Sequence, residues 1–265
     1  MKKVILSILL LTGFFACKKQ DIDVYDNEKS GASLYFPIQE VDSTGDISFS
    51  FGYLKSSVSD TAVRILVRML GAPVDYDRPY NLKIADTSTA TSEMYSIANK
   101  TLAIPAGKTA DTVVINLHRA AALRTKGYML NLELRENEHF GVKYYNNIVT
   151  PGSSTPQRYY TRMRVMIDDI AGAPAWWRQG NTYYSLITTY FGTFSTLKFQ
   201  LILTYYNADA AELTGTSNWP QVNGNLYRII AWASGLKAYL TLMQAQGTPV
   251  LEADGSLMKM GTGAK

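Results

Sequence analysis

Between residues 61 and 167 apolar side chains recur at every second position, and this period constrains the fold more than any other feature of the chain. In Thr61–Leu70, Val63, Ile65, Val67 and Met69 share one side, with Arg64 and Arg68 on the other. Val113, Ile115 and Leu117 repeat the pattern, as do Leu130, Leu132 and Leu134 against Asn131, Glu133 and Arg135. In Tyr159–Ile167, Thr161, Met163, Val165 and Ile167 oppose Tyr160, Arg162, Arg164 and Met166. A period of two places alternate side chains on opposite faces of a strand, so each segment is expected to be half-buried. Shorter strands are expected at Ser33–Phe36, Ile47–Tyr53, Tyr80–Ala85, Tyr95–Ile97 and Thr101–Ile104. Turn residues separate them at Ser43-Thr44-Gly45, Gly71-Ala72-Pro73, Pro105-Ala106-Gly107 and Lys126-Gly127. About seven to nine strands, each with one apolar face, predict a two-sheet sandwich over residues 34–170. The Pro- and Gly-containing stretch Thr150–Pro156 reads as a loop before the last strand.

After Asp168-Asp169 the small-residue run Ala171-Gly172-Ala173-Pro174 breaks the pattern. Residues 171–265 are expected to form an α-rich C-terminal domain. Phe194, Leu197, Leu201 and Tyr205 lie near helical spacing. Ile229, Trp232, Leu236, Tyr239, Leu240 and Met243 set an apolar stripe on a longer helix over Leu226–Ala245. Gly235 weakens that helix by about 1 kcal/mol relative to Ala. Thr248–Met260 reads as a hairpin turning at Asp254-Gly255. The fold class is therefore mainly β, an immunoglobulin-, fibronectin-III- or Calx-β-like sandwich followed by a small helix-plus-hairpin region.

The first residues carry an address. Met1-Lys2-Lys3 is a basic start and Val4–Leu11 an apolar run, too short to span a bilayer, which takes about 20 residues. The chain's one cysteine, Cys17, follows the small Ala16. That arrangement resembles the lipobox of bacterial lipoproteins, with Phe14 where an aliphatic residue is usual. Residues 1–16 are then a lipoprotein signal peptide, Cys17 the lipidated residue, and 17–33 a polar tether. Acyl chains on a cysteine hold a membrane through about 0.8 kcal/mol per buried methylene. The expected location is the outer membrane, lipid-anchored, on its periplasmic or cell-surface face. Losing Lys2 and Lys3 with the signal lowers the net charge from +4 to +2. With no basic run beyond Lys18-Lys19, a nucleic-acid partner is not expected. One cysteine and two histidines exclude an internal disulfide and the usual thiolate–imidazole zinc site.

A family resemblance is carried by motifs in a fixed order. These are Tyr35-Phe36-Pro37, the strand Val63–Val67 with Gly71 and Asp75-Tyr76-Asp77-Arg78, Ile104-Pro105-Ala106-Gly107 with Val113–Arg119, and Leu130–Leu134 with Asn137. Trp177, the run Phe191-Gly192-Thr193-Phe194-Ser195-Thr196-Leu197-Lys198-Phe199 and Glu252-Ala253-Asp254-Gly255 complete the series. The chain is similar to Bacteroidetes lipoproteins of domain-of-unknown-function family 4843. That resemblance implies a genetic neighbourhood with an outer-membrane transporter and glycan-binding lipoproteins of polysaccharide-utilisation systems. It implies no activity.

Candidate sites are few. Asp75 and Asp77 form an Asp-x-Asp pair of the kind that serves calcium, and the sandwich with its Ile-Pro-Ala-Gly turn resembles Calx-β domains. Six to eight oxygens are needed for that ion, and a structural turn with Arg78 pairing locally is the alternative. Asp168-Asp169 has the same ambiguity. Glycosidic hydrolysis needs two carboxylates across a sugar, and Glu133 alone has a suggestive setting. There is no Gly-x-Ser-x-Gly motif, and His118 and His139 read as strand-end or loop residues. No cofactor is called for, and the chain is not expected to be an enzyme. Aromatic residues crowd the C-terminal region at Trp176-Trp177, Tyr183-Tyr184, Tyr190-Phe191, Trp219 and Trp232. Sugar rings stack on such faces, so Trp176 and Trp177 are the candidate ligand-binding residues, one buried and its neighbour facing outward. The expected role is an accessory component of a glycan-uptake assembly, binding a polysaccharide or a partner protein. A surface adhesive module and an unrecognised glycoside hydrolase are the alternatives.

Overall fold

The computed structural model describes residues 31–37, 46–143 and 160–265. The signal peptide, Cys17, most of the tether, the turn Ser43–Gly45 and the loop Thr150–Pro156 lie outside the described residues.

Two four-stranded sheets face one another. The first has the order β1 (Ser33–Tyr35), β3 (Asp60–Leu70), β8 (Ala110–His118), β6 (Tyr95–Ile97), antiparallel throughout. The second runs β2 (Ile47–Ser50), β10 (Arg162–Asp168), β9 (Tyr128–Arg135), β5 (Asn81–Ile84), with β2 parallel to β10. A short ladder joins β4 (Arg78–Pro79) to β7 (Ala103–Ile104). Ile65, Val67 and Met69, Val113, Ile115 and Leu117, Leu130, Leu132 and Leu134, and Met163, Val165 and Ile167 all enter the core between the sheets. The expected alternation thus fixes the register, since a slip by one residue would turn each set to solvent. The chain enters the first sheet at Ser33, with Ala32 already buried.

A second core, built around Trp176, Trp177, Phe191, Phe199, Trp219 and Ile229, follows Asp168. It is enclosed by α1 (Tyr184–Phe191), α2 (Thr196–Tyr205), α3 (Ala210–Thr214) and α4 (Asn225–Ala245). Short 3-10 turns at Ala175–Trp177 and Trp219–Gly224 complete it. The hairpin forms as read: Leu251 pairs with Leu257, and Met258 N–H donates to the Val250 carbonyl (2.9 Å). Gly255 at its turn has φ +82°.

Two helical expectations change. On α2 the buried side chains are Lys198, Phe199, Gln200, Ile202 and Leu203, whereas Tyr205 is exposed. Phe194 and Leu201 of the expected stripe do pack against the second core, but Lys198 and Gln200, which lie outside it, also point inward to polar partners. Gly235, read as a weakness in α4, has a packing reason: a Cβ there would lie 2.4 Å from the Tyr206 hydroxyl. Tyr206 stacks on Trp232 (centroids 4.8 Å, 11° between planes) and donates to its carbonyl (2.8 Å).

Candidate functional site

The junction between the two cores is built on Asp169, which is 1% exposed. Arg119 meets it with two parallel bonds, Nε to Oδ2 (3.0 Å) and Nη2 to Oδ1 (2.7 Å). The remaining donors of Arg119 reach the carbonyls of Lys55 (2.8 Å), Val58 (3.0 Å) and Phe51 (2.9 Å). All five guanidinium N–H groups are therefore used. Gln200 of α2 also donates to Asp169 Oδ1 (2.8 Å). Alongside, Gly52 crosses the chain at Ile170–Ala171 so closely that a Cβ would lie 2.2 Å from the Ala171 nitrogen. Asp168 takes the Ser50 hydroxyl and the Ile170 N–H (3.0 Å). The pair Asp168-Asp169 is thus a joint in which both carboxylates hold protein partners.

Trp176 and Trp177 are each 1% exposed, so neither presents a face to a ligand. The expectation that one of them faces outward is not met. Their rings stack on each other at 5.6 Å, Trp176 stacks on Trp219 at 5.1 Å, and Trp177 meets Phe191 at 5.1 Å. Their indole N–H groups donate to the carbonyls of Leu213 (2.6 Å) and Gly192 (3.0 Å), which satisfies the polar edge of a buried indole. Arg228 caps the outer end of this stack over Trp232 (4.6 Å), held by Glu212 (2.6 Å). That contact holds the Glu212 carboxyl below its ordinary range.

Two aromatic side chains among the described residues reach a hollow, Tyr53 and, between the two motifs of the helical unit, Phe194. A hollow of about 380 Å³ is lined by Thr193, Phe194, Ser195, Lys198, Glu252 and Asp254, among others. It joins two sequence motifs from either end of the helical unit. Ser195 caps α2 through the Lys198 N–H (3.1 Å), which sets Phe194 just ahead of the helix. Lys198 is buried, which pushes its ammonium below the usual lysine range. It donates to the Thr193 carbonyl (2.9 Å) and lies 3.7 Å from Glu252. The Glu252 oxygen Oε2 is buried without a hydrogen-bond partner. Asp254 shapes the hairpin, accepting from Ser256 N–H (2.9 Å) and its hydroxyl (2.7 Å).

Other candidates resolve individually. Asp75 and Asp77 are both exposed, and Asp77 Oδ1 accepts from the Ala106 N–H (2.8 Å), tying its loop to the turn before β8. Arg78 does not pair with them. It turns inward over the Phe140 ring (4.9 Å), with Nη2 at 2.6 Å from Met69 sulfur. Among the described residues no group of three His, Cys, Asp or Glu side chains converges on one point. Glu133 is held by Arg135 and Arg162. His139 lies against Glu138 (3.8 Å). His118 is more than a strand-end residue. Its Nδ1 is 2.6 Å from Asp60 Oδ1 and its Nε2 is 3.0 Å from the Ser96 hydroxyl. Sequence reading missed this set because strand register alone brings the three residues together.

The model for the domain of unknown function DUF4843 matches residues 28–208, more than half of the chain. The chain belongs to this family. The match of the DUF4843 model takes in both sheets and runs through α2, and it stops short of α4 and the hairpin, so Glu252–Gly255 lie beyond it. No curated protein matches. Among solved structures, a protein of unknown function from Bacteroides ovatus is similar at 18% identity and a TM-score of 0.36. A multidomain protein from the same organism that includes DUF1735 matches at 12% and 0.33. CBD12 from CALX1.2 matches at 13% and 0.32. Each alignment covers 52% of this chain and 44% of the other. This DUF4843 chain therefore spans less than half the length of those structures. Among the described residues no helix is long and apolar enough to cross a membrane.

Proposed function

We propose that this DUF4843 protein is a non-enzymatic lipoprotein of the outer membrane, anchored through Cys17, and an accessory of a glycan-uptake assembly. The observation that carries the binding role is the hollow beside Phe194. An aromatic side chain stands there next to hydroxyl, ammonium and carboxylate groups, the combination that holds a sugar ring by its C–H face and its hydroxyls. The joint at Asp169 supports the same reading, because it fixes this hollow relative to the sandwich. The membrane anchor and the neighbouring transporter and glycan-binding lipoprotein rest on the sequence pattern and the family resemblance.

Calorimetric titration with a panel of neutral oligosaccharides tests the binding role. At least one should bind, and Phe194→Ala should weaken it by about tenfold, as expected for losing one stacking contact. Absence of binding across the panel overturns direct glycan recognition. Capture of partners from membranes by the wild type and by Cys17→Ala tests the assembly, which fails if no transporter component is recovered.

A further inference from the structure

The outer face of the first sheet carries an arrangement that the binding role does not use. Asp60 of β3 lies directly across from His118 of β8. Ser96 of β6 pairs with Asn116, which shares the solvent face with His118 two residues along β8. Ser96 and His118 are therefore diagonal neighbours, within side-chain reach. The carboxylate of Asp60 accepts a second bond from the Ser59 hydroxyl on its other oxygen. Both bonds, that from His118 first, hold the Asp60 carboxyl below its ordinary range. An ionised carboxylate only accepts, so Nδ1 of His118 carries the proton at 2.6 Å. In the neutral imidazole that places the Nε2 lone pair against the Ser96 hydroxyl at 3.0 Å. Ser96 and Asp60 are exposed, so the oxygen is open to a reactant.

We propose that Ser96 is an activated nucleophile and a site of covalent modification by activated acyl or phosphonyl donors, with His118 as its general base and Asp60 as the positioning residue. In the acyl case Ser96 Oγ forms a bond to the carbonyl carbon while its proton passes to His118 Nε2. The bond to the leaving alcohol or thiol breaks, and that group takes the proton from Nε2. The product is an ester on Ser96 with the imidazole restored. Nucleophile, base and orienting group stand within hydrogen-bonding reach, the arrangement that activates a serine. A positioned base contributes about 10²–10⁴-fold to such a step. This inference is independent of the saccharide hollow.

The test treats the full chain with a fluorophosphonate probe, in which Ser96 Oγ displaces fluoride from phosphorus and the proton leaves through His118. Peptide mapping by mass spectrometry reads the adduct. Ser96 should be labelled about 100-fold faster than Ser92, an exposed serine nearby in sequence. His118→Gln should lower the rate by at least about 30-fold. Asp60→Asn should slow it and Asp60→Glu should recover it, because a carboxylate at this position orients the imidazole. No adduct at Ser96, a rate equal to that of Ser92, or indifference to His118→Gln overturns the proposal. The Ser96–Ser92 ratio is read on the wild type, so it holds even if a variant does not fold.

Discussion

Replacing Asp169 by Ala should uncouple the two halves of the molecule. The substitution removes the acceptors of two charge-assisted bonds from Arg119, a longer one from Arg124 (3.4 Å) and one bond from Gln200. It leaves a guanidinium whose side chain is only 7% exposed without its counter-charge. The three carbonyls of Lys55, Val58 and Phe51 still receive Arg119, so the loss is confined to the carboxylate side. Breaking one half of a buried ion pair costs about 3–5 kcal/mol, a large part of a total stability of about 5–15 kcal/mol. At a urea m-value of about 3 kcal/mol/M the midpoint falls by about 1–1.7 M. Urea titration followed by far-UV circular dichroism should also resolve two steps where the wild type gives one, since Asp169 is what joins Arg119 of the sandwich to Gln200 of α2. A cycle with Arg119→Met should return a coupling of about 2–3 kcal/mol. A loss under about 1 kcal/mol, with one unchanged transition, would show that Asp169 does not join the units.

Gly52→Ala places a methyl carbon 2.2 Å from the Ala171 nitrogen; overpacking against backbone should cost at least about 1–3 kcal/mol, read as a lowered urea midpoint. Tyr206 is pushed up to about 12, by burial first and then by Tyr205, above the ordinary phenol value of about 10. Its folded-state pKa is the higher one, so its contribution is complete below pH 10 and is lost as pH rises towards 12. Tyrosinate absorbance should show Tyr206 among the late-titrating phenols, beside Tyr80, which burial and then Asp111 also push up, and Tyr206→Phe should remove one of them, with helical signal falling over the same interval.

The sandwich was legible because its strands are amphipathic: one buried face and one wet face write burial directly into a period of two. α1 was not, because its sequence Tyr184–Phe191 is rich in Thr and Tyr, residues favoured in strands. Its helix is set by packing of Ile187 and Phe191 into the second core, while the hydroxyls of Thr188 and Thr189 bond back to Tyr184 (2.9 Å) and Ser185 (2.8 Å). The inward Lys198 and Gln200 were equally hidden, because polar residues are buried by partners distant in sequence. Adjacent tryptophans gave no clue to which faced inward; on a 3-10 turn with stacked rings, both do. Ser96, His118 and Asp60 are separated by 22 and 58 positions, and only pairing register makes them neighbours. The hairpin turn and its Asp254-Gly255 corner, by contrast, were readable from local chemistry alone.

All four tryptophans belong to the second core and none to the sandwich. Trp176, Trp177, Trp219 and Trp232 form one chain of rings, with successive centroids 5.1 to 6.2 Å apart. Transition dipoles at that spacing couple, so the far-ultraviolet circular dichroism, where the strong indole transition lies, should carry an exciton couplet rather than the sum of four isolated indoles. Excitation absorbed by any one indole migrates along the row before it is emitted. The helical half therefore carries its own optical label, and the sandwich is silent at wavelengths where only indole absorbs.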